Sequence, residues 1–232
     1  MTGVALHDWD GRIESIVGSA DLDAFDTVYL TVEDRHVTWR QDNVHEALAA
    51  LKNAGKRVYL DPWGVGGLFA GETYGRADSV PALRDWIAFA NTTDAGVLVD
   101  EPKEIGLIDA YLPKLTGELK LAVQPEHLSD GTVLPLHQRL SVSTYNFGPN
   151  DWGRWEERLL EWDRMLAPEV EVWVQTWLVP DGLESVPGEM ISMWRSLGRT
   201  VNIWSYDADA TTSKIRSSGA DAVWAGVLEA LR

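Results

Sequence analysis

The sequence contains no cysteine among its 232 residues. This absence excludes disulfide bonds, thiolate metal sites and cysteine nucleophiles. The chain also has no run of about 18 uncharged apolar residues, the length that a membrane-spanning helix needs. The opening segment MTGVALHDWDGRIE has no basic stretch followed by an apolar run, so it does not match a signal peptide. We therefore expect a soluble, cytoplasmic protein that has no membrane partner.

Basic residues are scarce, with 20 lysines and arginines against 36 acids and a formal net charge of −16. Phosphate backbones and anionic lipid surfaces repel such a chain, so nucleic acid is not an expected partner. Phenylalanine is also scarce, with 4 residues against 12 tryptophans. Indole rings suit the faces of sugars or bases, although a tryptophan-rich core accounts for the excess equally well.

Eight short apolar segments rich in β-branched residues are separated mostly by helical patterns. They cover residues 3–7, 27–32, 57–61, 96–100, 119–124, 140–146, 171–177 and 200–206. Near-continuous hydrophobicity is typical of parallel strands that are buried on both faces. The count predicts an α/β fold, a single (β/α)8 TIM barrel domain over residues 1–232. An open doubly wound sheet is the alternative, but it requires a glycine-rich turn after the first strand, and ALHDWDGRIE has one glycine.

The C-terminal ends of the strands form the active site in such a barrel. Four acids at these ends are candidate catalytic groups: Asp61, Asp100, Glu101 and Glu126. The candidate substrate-binding residues are Trp9, Trp63, Tyr145, Asn146, Gln175, Trp177, Trp204, Tyr206 and Asp207. The N-terminal ends begin in residues that any solvated surface accepts, such as Asp26, Lys56, Glu118 and Glu171. This asymmetry predicts a polar site at the C-terminal ends.

Carboxyl groups flanked by aromatic rings are suited to splitting a glycosidic bond. One carboxylic acid protonates the leaving oxygen while a second carboxylate stabilises or attacks the sugar carbon. No strand ends in lysine, which disfavours a Schiff-base enzyme. The histidines show no metal-binding spacing, so neither a metal nor another cofactor is predicted. Two alternatives stay open: a non-catalytic carbohydrate-binding barrel, and a metal-dependent sugar isomerase or lyase that uses His7 with strand-end acids.

These strand-end acids and aromatics resemble the TIM-barrel glycoside hydrolases along the whole chain, without pointing to one family. In several of those families the general acid stands at the end of the fourth strand, where GVLVDEP places Asp100 and Glu101. The pair looks like the hexosaminidase arrangement, which implies that Glu101 is the acid and that Asp100 orients a substrate amide. The resemblance implies an O-glycosyl hydrolase whose partner is an oligo- or polysaccharide.

The sequence departs from that pattern at the seventh strand. Many retaining members carry a nucleophilic glutamate there, whereas VWVQTW offers Gln175. The second catalytic group is then one of four acids: Asp61, Asp100, Glu126 or Asp207.

Overall fold

The computed structural model describes residues 1–7, 9–32, 40–61, 79–100, 114–123, 140–144, 152–176, 179–204 and 221–232. Eight strands lie in these ranges: β1 (Thr2–Leu6), β2 (Thr27–Thr31), β3 (Arg57–Asp61), β4 (Gly96–Asp100), β5 (Leu119–Val123), β6 (Leu140–Thr144), β7 (Glu171–Gln175) and β8 (Val201–Trp204). Each strand pairs in parallel with the next, and β8 pairs with β1 to close the barrel. This closed sheet confirms the predicted (β/α)8 barrel.

Helices follow or precede most of the strands. They are α1 (Ile13–Val17), α2 (Gln41–Asn53), α3 (Ser79–Ala90), α4 (Trp155–Asp163), α5 (Val186–Ser196) and α6 (Asp221–Leu231). Short 3-10 helices cover Ala20–Ala24 and Trp152–Arg154. Within the described ranges, no helix has the length and apolar character needed to cross a membrane.

The amphipathic pattern of the outer helices determines how they pack. In α2 the buried residues are Val44, Ala47, Leu48 and Leu51, which recur at helical spacing and cover the sheet. The Ser-Val-Pro that opens SVPGEMISMWRSLG predicts a serine cap and a proline in the first helical turn. Pro187 does lie in the first turn of α5, but Ser185 makes no capping hydrogen bond. Its backbone is already helical, at φ −77° and ψ −24°, whereas a capping serine needs an extended backbone. The predicted serine cap of α5 is therefore wrong.

Alternate residues of each strand face opposite sides of the barrel wall. Val58 and Leu60 belong to the large core between sheet and helices, whereas Tyr59 belongs to a second cluster inside the barrel. The inner cluster consists of Ala5, Tyr29, Tyr59, Leu98, Ala122, Trp173 and Trp204. Because side chains alternate with a period of two, Asp61 shares the inner face with Tyr59, and Thr31 shares it with Tyr29. Both therefore face the barrel interior at its C-terminal end.

A paired polar cluster fills the opposite, N-terminal half of the interior. The Lys120 Nζ atom lies 2.7 Å from Glu171 Oε2 and 2.7 Å from the Tyr29 hydroxyl. Asn202 donates to Glu171 at 2.9 Å and accepts from Tyr29 at 3.2 Å. The Glu171 side chain is only 17% exposed, so the expectation of an ordinary solvated residue there is wrong. The interior is thus packed and internally paired at this end.

Candidate active site

Three polar residues form a row across the C-terminal ends of β1, β2 and β3. Thr31 and Asp61 are register partners on β2 and β3. His7 directly follows β1, whose last residue Leu6 pairs with Leu30. The Nδ1 atom of His7 lies 3.0 Å from the Thr31 hydroxyl oxygen. We call His7, Thr31 and Asp61 the polar row.

Asp61, the acid of this row, is deeply enclosed, with 1% of its surface exposed. Its Oδ2 atom is buried and accepts no hydrogen bond from any residue in the described ranges. Burial disfavours the charged carboxylate and raises the pKa of Asp61 from 3.8 to about 8. The carboxyl group therefore holds its proton at neutral pH.

His7 is also uncharged at neutral pH. Burial lowers its pKa from 6.5 to about 4, because the imidazolium loses its hydration inside the barrel. Its ring packs against Trp204, with ring centroids 4.9 Å apart and an interplanar angle of 59°. Trp204 in turn makes an edge contact with Trp173 at 5.2 Å. Aromatic rings therefore line the β8 side of the polar row.

Trp204 and Trp9, two predicted substrate-binding residues, have covered rings. Trp204 is 3% exposed and belongs to the inner cluster, while Trp9 is 1% exposed and belongs to the outer core. The indole N–H of Trp9 donates to the backbone carbonyl of Thr31 at 2.6 Å. Trp9 thus anchors the middle of the polar row from outside the barrel. A direct contact of either ring with a substrate stays a prediction.

The backbones of two further candidates lie where the sequence predicts. Asp100 is the last residue of β4 and pairs with Ala122, and Gln175 is the last residue of β7 and pairs with Trp204. The remaining candidates lie outside the described residues, and their roles stay predictions: Trp63, Glu101, Glu126, Tyr145, Asn146, Trp177, Tyr206 and Asp207.

Thr31 was not among the predicted site residues, and His7 was predicted only for the metal-dependent alternative. The signal for Thr31 is the alternation in TVYLT, which places it on the same face as Tyr29 at the end of an apolar strand. His7 stands at a predicted strand end, but a single histidine carries no metal-binding pattern. Among the described residues, no three acidic or histidine side chains converge on a common point that would hold a metal ion.

Asp10, another acid near the same end of the barrel, has a structural role. The Asp10 carboxylate pairs with Arg40 and accepts a hydrogen bond from Asn43 at 2.7 Å. These contacts tie the segment after β1 to the start of α2. Asp10 therefore shows how a partnered acid is held in this protein, in contrast to Asp61.

Comparison with known proteins relates the chain to others by fold. No protein-family model matches it, and no curated protein matches its sequence. A glycoside hydrolase family 5 enzyme from Prevotella bryantii B14, solved with a xyloglucan tetradecasaccharide, superposes with a TM-score of 0.64 at 12% identity, over 95% of this chain and 86% of that one. A family 18 chitinase from Pseudoalteromonas aurantia superposes with a TM-score of 0.62 at 15% identity, over 99% of this chain and 99% of that one.

A family 113 β-1,4-mannanase gives a TM-score of 0.56 at 12% identity, over 99% of this chain and 97% of that one. These identities are too low to transfer an activity, and the matches extend over three different families. The chain therefore has the TIM-barrel fold that these glycoside hydrolases share, which confirms the structural resemblance without assigning a specific family.

Proposed function

We propose that the protein is a glycoside hydrolase that cleaves an oligo- or polysaccharide at the C-terminal end of its barrel. The observation that carries the proposal is Asp61, an inward-facing acid at a strand end that burial keeps protonated at neutral pH. Glycoside hydrolysis requires one carboxyl group that holds a proton and a second that is charged. The shared fold with glycoside hydrolases supports the same class of reaction.

The second carboxyl group of this proposal comes from the neighbouring strand. β3 pairs with β4 through Leu60 and Val97, so the ends of the two strands are adjacent. Asp100 closes β4 and Glu101 follows it in the sequence. We retain Asp61, Asp100, Glu101 and Glu126 as the catalytic set. The resemblance implies that Glu101 is the general acid, whereas burial makes Asp61 a group that holds its proton.

A polysaccharide panel tests this function. Purified protein is incubated with xyloglucan, β-glucan, mannan and chitin, with and without a chelator, and the release of reducing ends is measured. We expect release from at least one polymer, unchanged by the chelator. Binding without release would favour the non-catalytic carbohydrate-binding barrel. Loss of this release with the chelator would favour the metal-dependent lyase alternative.

The variant Glu101→Gln tests the participation of the β4 acids in the same assay. We expect its turnover to fall by about 10²-fold or more, the range typical of acid-base catalysis. Glu161→Gln is the matched control, because Glu161 lies on the outer helix α4 in an exposed ion pair with Arg158. Retention of more than about a tenth of the wild-type turnover in Glu101→Gln would exclude Glu101 from acid-base catalysis.

A further inference from the structure

We propose that Asp61, rather than Glu101, donates the proton to the leaving oxygen. This inference rests on the proposed glycoside hydrolase function and assigns a catalytic role within it. It departs from the sequence pattern, which favours the acid that follows β4. The argument for it comes from the placement, the hydrogen bonding and the neighbours of Asp61.

The barrel wall fixes the position of Asp61. It is the last residue of β3, it pairs with Thr31 of β2, and its backbone carbonyl accepts a hydrogen bond from Val32 N–H at 2.6 Å. Proton transfer requires a donor that is held in place relative to the reacting oxygen. A strand end in a closed sheet provides this rigidity better than a loop does.

The hydrogen bonding of its carboxyl group distinguishes Asp61 from acids that have a structural role. Asp10 engages both of its oxygens, with Arg40 and Asn43, and Asp163 pairs with Arg199 at 2.8 Å. Asp61 is more enclosed than either, with 1% of its surface exposed, yet its Oδ2 atom has no hydrogen-bond partner in the part of the chain that the structure describes. A buried polar atom without a partner costs stability, so its retention calls for a functional explanation. A leaving oxygen that receives the proton provides one.

The described neighbours of Asp61 in the polar row do not supply a positive charge. His7 is neutral at physiological pH, and Thr31 has only a hydroxyl group. No lysine or arginine of the described ranges forms an ion pair with Asp61. Among the described residues nothing therefore stabilises the charged form in advance, and on this proposal the acid remains protonated until the glycosidic oxygen accepts the proton.

The proposed step balances as follows. The O–H bond of Asp61 breaks and its proton moves to the glycosidic oxygen. The bond between that oxygen and the sugar carbon breaks, and its electron pair stays on the oxygen, which leaves as a neutral alcohol. A water oxygen then bonds to the sugar carbon. The proton that this water releases goes to a carboxylate of the site, and exchange with solvent restores Asp61; nothing is oxidised or reduced.

The test compares two leaving groups. A dinitrophenyl glycoside needs no proton to leave, whereas an oligosaccharide of the same sugar does. We expect Asp61→Asn to lose about 10²–10⁴-fold in kcat on the oligosaccharide and to stay within about tenfold of wild type on the aryl glycoside. We expect Glu101→Gln, as the charged partner, to lose activity on both substrates.

Three results would overturn the inference. Equal losses of Asp61→Asn on both substrates would make Asp61 a nucleophile or a structural residue. If Glu101→Gln loses activity on the oligosaccharide but keeps it on the aryl glycoside, the general acid is Glu101. A carboxylate signal for Asp61 at pH 7 in carbon NMR of the unliganded wild-type protein would show that it holds no proton. Absence of hydrolysis by wild-type protein on every substrate is a different result, because it removes the proposed function itself.

Discussion

The side chains of His7 and Thr31 meet at the ends of β1 and β2, where His7 Nδ1 lies 3.0 Å from the Thr31 hydroxyl oxygen. The carbonyl of Thr31 accepts from Trp9 on the other side of the barrel wall, and its backbone pairs with Asp61. Thr31 is therefore the fixed centre of the polar row. His7 and Asp61, on either side of it, are both uncharged at neutral pH, and burial shifts their pKa values in opposite directions.

His7 should make the protein less stable in mild acid. Its pKa is about 4 in the folded protein and about 6.5 when unfolded, so the unfolded chain binds the extra proton first. The stability contributed by neutral His7 is fully present above pH 6.5 and is lost as the pH falls through 4. We expect His7→Gln to remove a slope of about 1 kcal/mol per pH unit between pH 5 and 6.5, because the unfolded histidine is only half protonated at the upper end of this range. Urea unfolding measures this slope, with the exposed His45→Gln as control.

Asp61 should give a slope of opposite sign over a wider range. Its folded pKa of about 8 exceeds the unfolded value, so its contribution is full below pH 4 and is lost as the pH rises through 8. Above pH 6.5 His7 no longer changes the stability, so between pH 6.5 and 8 the Asp61 slope is not offset by the His7 slope. We expect the free energy of unfolding of wild type to fall there by about 1.4 kcal/mol per pH unit at most.

Asp61→Asn should abolish that decline, because the amide never ionises, and it should be at least as stable as wild type at pH 8. Asp42→Asn, at an exposed position in the first turn of α2, is the matched control and should keep the wild-type slope. If Asp61 only caps the turn after β3, its replacement should instead cost about 1 kcal/mol at every pH. Urea unfolding at four pH values distinguishes the two outcomes.

The sequence predicts the barrel well because each strand is a separate apolar run with polar residues at its C-terminal end. The observed strands lie within two residues of the predicted segments. Five tryptophans occur in helical patterns that predict packing: Trp86, Trp155, Trp162, Trp194 and Trp224. All are buried except Trp155, which is partly buried against the core. The short helix α1 was not predicted, because its five residues, Ile13–Val17, are too few to show a helical period.

The site is only partly predictable from the sequence. Position at a strand end identifies Asp61, but its protonation state depends on burial that the folded chain creates around it. Trp9 also follows a strand, yet its ring lies in the outer core, a direction that strand counting does not give. Lys120, Glu171 and Asn202 come from three strands far apart in sequence, so their hydrogen bonds leave no local pattern.

That polar cluster predicts a large effect of a single substitution. Lys120→Met leaves the largely enclosed Glu171 carboxylate, 17% exposed, without its cation. Breaking a buried ion pair from one side costs about 3–5 kcal/mol, and we expect a cost near the lower end of this range. Arg158→Met is the control, because its pair with Glu161 is exposed and should contribute less than about 1 kcal/mol. Adding Glu171→Gln to Lys120→Met should recover part of the loss in urea unfolding. If Lys120→Met and Arg158→Met lower the free energy of unfolding by the same amount, Lys120 and Glu171 do not act as a buried ion pair.

Gly96 makes room for the ring of Tyr59 inside the barrel. A Cβ atom at Gly96 would lie 2.4 Å from Tyr59 Cδ1 and 2.5 Å from Cε1, closer than such atoms approach in proteins. The ring is not free to move away, because its hydroxyl donates to Glu118 at 2.8 Å and Lys120 Nζ lies 4.9 Å from its centroid. Gly96→Ala should therefore destabilise the barrel by about 1–3 kcal/mol, the range for overpacked cores.

Gly153→Ala is the matched control for this clash, because a Cβ there meets no atom within 4 Å. It should leave the free energy of unfolding unchanged or raise it by about 0.4–1 kcal/mol, since alanine restricts the unfolded chain. In a Tyr59→Val background the ring edge is absent, so adding Gly96→Ala should cost less than it does beside tyrosine. A cost for Gly96→Ala that is the same in both backgrounds would show that backbone freedom, rather than the Tyr59 ring, requires glycine at position 96.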